Sequence, residues 1–168
     1  MKRIVLLFFV FIAQFTSAQI TMVLKDFDDV KVFDKLSVTL IASNETKAVI
    51  TGPEQAKVEI VNKKGLLKIR MPLTKMMTGD EAKITLYFKK IHTIDANEGS
   101  VVTCADTFKQ TSLTLNTQEG AKITVPVDVD KTIIKAVSGG IVTLTGKAVT
   151  QTVSINSGGA LNAKELET

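Results

Sequence analysis

The sequence predicts an all-β chain wound as a parallel β-helix, a solenoid with turns of about 20 residues. Three observations carry that prediction. Four segments, Glu98–Cys104, Glu119–Val125, Ser138–Leu144 and Ser157–Ala163, lie over one another without a gap. Their glycines, Gly99, Gly120, Gly139 and Gly158, recur at that same near-constant interval, which marks stacked equivalent turns. After each glycine, apolar or small residues (Val102, Ile123, Val142, Leu161; then Cys104, Val125, Leu144, Ala163) alternate with Thr103, Thr124, Thr143 and Asn162, the period-two pattern of a strand with one buried face. A propeller blade needs about 40 residues, and a leucine-rich repeat needs leucines and an asparagine at fixed places that are missing here. A sandwich of hairpins is the serious rival. It would not produce such register-matched columns, although the less regular first half is open to antiparallel pairing.

Residues 1–18 read as a cleaved export signal. Lys2-Arg3 is a short positive start, Ile4 to Phe15 is an apolar run broken only by Gln14, and Thr16-Ser17-Ala18 supplies the small residues before cleavage after Ala18. The run is shorter than the roughly 20 residues that span a bilayer, and no later segment is long and apolar enough to serve. Gln19 stands where a lipid-bearing cysteine would have to be, so no lipid anchor is expected. What remains, 19–168, is read as one domain.

Strand candidates follow in order: Val30–Phe33, Leu36–Ile41, Ala48–Gly52, Val58–Val61 and Leu66–Ile69, with turns at Ser43-Asn44-Glu45, Gly52-Pro53 and Lys64-Gly65. No segment reads as helical. Pro72–Glu81 is expected to be more mobile, and Lys83–Phe88 leads into the repeats. Each repeat adds a strand before its glycine, marked by Ile94, Leu115, Ile134 and Val153 and then by Ala96, Thr117, Ala136 and Ile155. The glycine between two strands suits a sharp corner. A third apolar point near Phe108, Val129, Val149 and Leu166 drifts by a residue or so between copies. At about 20 residues a turn the domain makes roughly seven turns, a rod a little over 30 Å long at about 4.8 Å per strand.

The whole chain carries a formal charge of +4. Without Lys2 and Arg3, 19 basic residues face 17 acidic ones, leaving +2. Charges are scattered, with Lys63-Lys64 and Lys89-Lys90 the densest basic points, and no aromatic-and-basic surface points to nucleic acid. One cysteine cannot form an intrachain disulfide, so packing alone must hold the exported domain together.

Candidate chemistry is sparse. His92, the single histidine, falls in a column with Leu113, Thr132 and Gln151 and reads as a rim residue rather than a catalytic base. Cys104 shares its column with Val125, Leu144 and Ala163 and reads as a small buried hydrophobe rather than a reactive thiol. Asp26, Asp28, Asp29 and Asp34 lack the oxygen spacing and glycine of a calcium loop and read as a solvated turn. Asp128 and Asp130 point to one face, about 6.6 Å apart, within the range of a glycosidase or lyase carboxylate pair. No basic or aromatic residues are seen around them to hold a sugar. No catalytic, cofactor-binding or metal-binding residue is therefore assigned.

Phe27–Arg70, with its Phe-Asp-x-Val-x-Val opening and Lys-Gly-Leu-Leu-Lys-Ile-Arg close, then Leu86–Ile91, the Glu-Gly-Ala and Ser-Gly-Gly repeats and Ala163–Leu166, resembles the head GIN domain family, exported proteins labelled putative auto-transporter adhesins and common in Bacteroidetes. The resemblance covers nearly all of 27–168. It implies a right-handed β-helix and an envelope location, whether periplasm, outer membrane surface or beyond, and it brings no site residues. Family members continue for further turns, so a chain stopping at Thr168 is either cut short or left with an open last turn. An open turn presents unpaired backbone and invites self-association through Gly158–Thr168. The expected function is non-enzymatic: a rod whose Thr- and Ser-rich faces meet a glycan or an envelope protein, with no cofactor. The alternatives are a carbohydrate-active β-helix enzyme, a polysaccharide lyase or glycosidase, and an envelope assembly component without a ligand.

Overall fold

Alternating apolar positions rich in Val, Ile and Thr suit a pleated surface buried on one side. The computed structural model of the chain describes residues 19–168, and over them that pattern becomes strand almost throughout. The expected export signal at 1–18 lies outside the described residues.

The strands are β1 (Ile20–Val23), β2 (Asp29–Val32), β3 (Ser37–Ala42), β4 (Lys47–Thr51), β5 (Glu59–Lys63), β6 (Leu66–Arg70), β7 (Lys83–Phe88), β8 (Thr93–Ala96), β9 (Val101–Cys104), β10 (Phe108–Thr117), β11 (Lys122–Ala136), β12 (Ile141–Ile155) and β13 (Ala160–Glu167). All belong to one sheet. From β8 onward its pairing is parallel, and the register repeats the sequence period: Val102 lies beside Ile123, Ile123 beside Val142, and Val142 beside Leu161. On the other side of the corner Val30, Ile94, Leu115, Ile134 and Val153 stack in the same way. These columns form the core, where Val30, Ile94, Leu115, Val102, Ile123 and Val142 are fully buried. Val153 and Ile155 keep their register but are 43% and 44% exposed, because no described strand lies beyond them.

The corners are more specific than a lone glycine. Two successive residues take left-handed backbone, Glu98 and Gly99, Glu119 and Gly120, Ser138 and Gly139, Ser157 and Gly158, all with φ between 48° and 77°. The first member is never glycine, and Asp34-Lys35 forms the same pair, φ 60° and 61°, with no glycine at all. A ladder of backbone bonds stabilises these conformations: the N–H groups of Lys35, Gly99, Gly120 and Gly139 donate to the carbonyls of Glu98, Glu119, Ser138 and Ser157, one turn along.

The first half departs from the expectation of turns wound in chain order. The turn made by β6 and β7 lies outside the one made by β2 and β3, since β7 pairs with β3 and β6 with β2. Three further strands run antiparallel beyond it, β4 on β7, β1 on β4 and β5 on β6. The sheet is therefore mixed and mostly parallel. The physical reason is the end problem of stacked turns: short hairpin strands cover the outermost turn and leave two new edges, β1 and β5, of which β5 carries Glu59, Asn62 and Lys63, which discourage further pairing. The third apolar point also corrects. Phe108 aligns with Val127 and Gly146, whereas Val129 aligns with Gln110 and Ala148, so Val149 is one residue out of step and 61% exposed.

Candidate functional site

Outward residues on the strands after the corner stack as regularly as the core. Thr85 pairs with Thr39, Thr39 with Thr103, Thr103 with Thr124, Thr124 with Thr143, and Thr143 with Asn162. Five threonines and an asparagine thus form an unbroken rank, with about 4.8 Å from one to the next. Branching at Cβ restricts the threonine side chains, so the hydroxyls form an ordered row. Each hydroxyl both donates and accepts, and none of these side chains titrates near neutral pH. On one side the rank is bordered by Lys83, Ser37 and Val101, on the other by Tyr87 and Ile41, with the Lys47 ammonium 4.9 Å from the centre of the Tyr87 ring. Such a surface can line up a repeating polar ligand by hydrogen bonds. The repeats revealed Thr103, Thr124 and Thr143. Thr39 and Thr85 were missed because the first half hides its period, although each sits between two buried apolar residues, Val38 and Leu40 or Ile84 and Leu86.

The sequence candidates do not converge. His92 is exposed, with Nδ1 4.0 Å from an Asp28 oxygen and its backbone N–H donating to the Asp28 carbonyl. Cys104 is buried, its thiol donates to the Asp106 carbonyl at 3.3 Å, and burial pushes its pKa up to about 11, so it is a thiol and not a thiolate at neutral pH. The four aspartates disperse. Asp26 pairs with Lys89 at 2.9 Å and accepts from Thr46, and the Lys89 hydrogen bond holds its carboxyl below the usual range. Asp34 turns inward, 3% exposed, and accepts the N–H groups of Met71 at 2.9 Å and Met77 at 3.0 Å. Among the described residues no three His, Cys, Asp or Glu side chains are placed to hold a metal ion.

Asp128 and Asp130 share an exposed face, and their surroundings differ from those read in the sequence: Lys109 and Lys147 flank Asp128 in register. These lysines belong to the turns on either side, so only the stacking reveals them. With Glu167 in register beside Lys147, they make a rank of alternating charge around Asp128, not an acid pair in a cleft.

At the corners, Asp34, Glu98 and Glu119 follow one another. Glu98 Oε2 accepts the Asp34 N–H at 3.3 Å. Desolvation first, and then the charge of Asp34, raises the Glu98 pKa above its ordinary value. The folded state therefore holds this proton more tightly than the unfolded one. The resulting stability is full below the ordinary glutamate pKa and is lost as pH rises through the folded value. Glu98→Gln, which keeps an acceptor, should raise the urea midpoint at pH 7 by a small amount and flatten the fall in stability that begins as pH rises past the ordinary glutamate pKa. An unchanged profile would show that Glu98 is not the titrating group.

A family model described as "Putative auto-transporter adhesin, head GIN domain" matches residues 26–168. No curated protein matches the chain in sequence. Among solved structures, a putative adhesin from Bacteroides fragilis is similar with a TM-score of 0.81 at 17% identity, over 89% of this chain and 72% of that one. A putative adhesin from Parabacteroides merdae is similar with a TM-score of 0.65 at 15% identity, over 89% and 73%. A protein described as a putative lipid binding protein from Parabacteroides distasonis is similar with a TM-score of 0.60 at 11% identity, over 89% and 74%. At these identities the likeness shows the fold alone.

Proposed function

We propose, on the premise that the chain belongs to the putative auto-transporter adhesin, head GIN domain family, that it is an exported, non-enzymatic binding module of the cell envelope, wound as a right-handed solenoid. The threonine face is its contact surface. The single observation that carries this reading is the uninterrupted rank from Thr85 to Thr143, neutral and partly exposed along its length. Its natural partner is an extended glycan or an envelope protein that repeats or lies flat, because a row of hydroxyls rewards many weak bonds in register more than one deep pocket. Among the described residues no helix is long and apolar enough to cross a membrane.

Residues 19–168 are expected to sediment with isolated cell envelopes, and Thr39→Lys with Thr124→Lys to weaken that retention tenfold or more. Thermal unfolding should be unchanged, because both side chains are exposed. Lys135→Glu, outside the threonine rank, is the control. Retention that survives the double substitution sinks the assignment of the face. The catalytic alternative needs Asp128 and Asp130, but both are exposed, and Lys109 and Lys147 flank Asp128 in register. Release of products from pectin-like or alginate-like polymers, lost in Asp128→Ala, would replace the binding reading.

A further inference from the structure

The insertion between β6 and β7, residues 71–82, is the longest strand-free stretch among the described residues. It holds apolar side chains that the fold does not bury: Leu73 is 79% exposed, Met76 50% and Met77 41%. It is not a loose loop. The Asp34 carboxylate accepts the N–H groups of Met71 and Met77, and the Asp34 carbonyl accepts that of Gly79 at 2.9 Å, so the chain is fastened at three points while these side chains stand outward.

The neighbouring surface is basic. Lys68 and Arg70 share a shallow groove with Leu73 and Met76, and a second groove joins the same two cations to Val61 and Lys63. Lys64 forms the β5–β6 turn and Lys75 lies in the insertion itself. Of the nearby carboxylates, Glu59 is engaged by Arg70 at 3.0 Å and Glu54 by Lys57 at 2.7 Å, Asp34 and Glu98 line the first groove, the Asp28 carboxylate lies beside Gly65 at the hairpin turn, and Asp80 and Glu81 follow further along the insertion. Among the described residues, Lys63, Lys64, Lys68 and Lys75 form no ion pair.

We propose that the insertion and the β5–β6 hairpin form a docking surface for an anionic lipid bilayer. Leu73, Met76 and Met77 enter the boundary between headgroups and acyl chains, and the four lysines meet lipid phosphates. The charge pattern selects this occupant: protruding apolar tips with Lys68 and Arg70 beside two of them, and a line of cations running back along the hairpin to Lys63 and Lys64, match an interface that is apolar within and negative at its surface. A protein groove would more commonly face a concave apolar pocket with few charges at its centre. Unbranched methionines also adapt to a fluid surface that offers no fixed holes. This inference does not rest on the threonine face.

The test is flotation of residues 19–168, which include every described strand and omit the apolar leader that would itself enter a bilayer. Vesicles of equal parts phosphatidylcholine and phosphatidylglycerol should carry the protein up, and vesicles of phosphatidylcholine alone should not. Each cation near the surface is worth roughly fivefold in affinity, so Lys63→Glu with Lys68→Glu should weaken binding by more than tenfold, and added salt should do the same. Leu73→Ser with Met76→Ser and Met77→Ser should abolish it. Circular dichroism melts should be unchanged for both variants, because the substituted side chains are exposed. Flotation that both variants retain, or equal flotation with neutral vesicles, overturns the proposal. No flotation with either vesicle also overturns it and leaves the patch to a protein partner.

Discussion

Gly146→Ala is expected to destabilise the fold by about 3–4 kcal/mol, read as a large fall in the urea midpoint. Two costs add. Gly146 has φ 96°, a backbone conformation that side chains rarely adopt, and a Cβ there would overlap the carbonyl oxygen of Val127 in the neighbouring turn. That carbonyl belongs to β11, in register with Gly146 through the parallel ladder, so relief requires moving two strands and not one side chain. Gly120→Ala separates the two costs. Gly120 has φ 74°, but a Cβ would meet nothing within 4 Å, so only the conformational cost of about 1 kcal/mol remains. Equal losses in the two variants would show that backbone strain alone matters and that the close approach at Gly146 is relieved by relaxation.

The contrast between these glycines marks what the sequence could and could not reveal. Repetition made the second half legible, because a near-constant interval between copies places Val102, Ile123 and Val142 in one column without any knowledge of the backbone. Repetition is silent about exceptions. Gly146 stands in register with Phe108 and Val127, and nothing in a glycine's identity says whether it bends a strand or merely leaves space. The slip at Val149 has the same origin: with a period of two, one residue of drift exchanges inside for outside. In the first half the obstacle was topological. The strands β2, β3, β6 and β7 were visible as strands, but their order along the axis is fixed by which segment covers which. That depends on contacts between segments far apart in the chain, as between Val38 and Ile84.

The proposed contact surface was partly legible for a related reason. A binding face made by stacking consists of residues that are ordinary one at a time. Thr39 carries no signal as a catalytic or metal-binding residue, and only its pairing with Thr85 and Thr103 makes it part of a rank. Motif searches favour clustered histidines, cysteines and carboxylates, and here those residues disperse: His92 lies on the rim, Cys104 is sealed by burial, and Asp128 is balanced by Lys109 and Lys147. Asp34 shows the opposite error. Read as one of several solvated acids, it proves to be the buried fastening of an insertion that begins well downstream, at Met71.

Asp34→Ala should therefore cost about 2–4 kcal/mol, and the loss should be local. The carboxylate accepts two backbone N–H groups, that of Met71 being buried, and removing it leaves both donors without their charged partner. Alanine also tolerates φ 60° less well than aspartate, which adds to the cost. Asp34→Asn keeps one side-chain acceptor and the tolerance for left-handed backbone, so it should fall between wild type and alanine. Hydrogen exchange locates the effect. The amides of Met71 and Met77 should lose protection in Asp34→Ala, while those of Ile123 and Ile134, deep in the parallel ladder, should keep theirs until global unfolding. Limited proteolysis should cut first after Lys75. If Met71 and Met77 stay protected, the insertion is held by its packing against the outermost turn, and the carboxylate is dispensable. If the ladder amides lose protection with them, Asp34 supports the corner ladder that begins at Lys35, and the insertion and the stacked turns unfold as one cooperative unit.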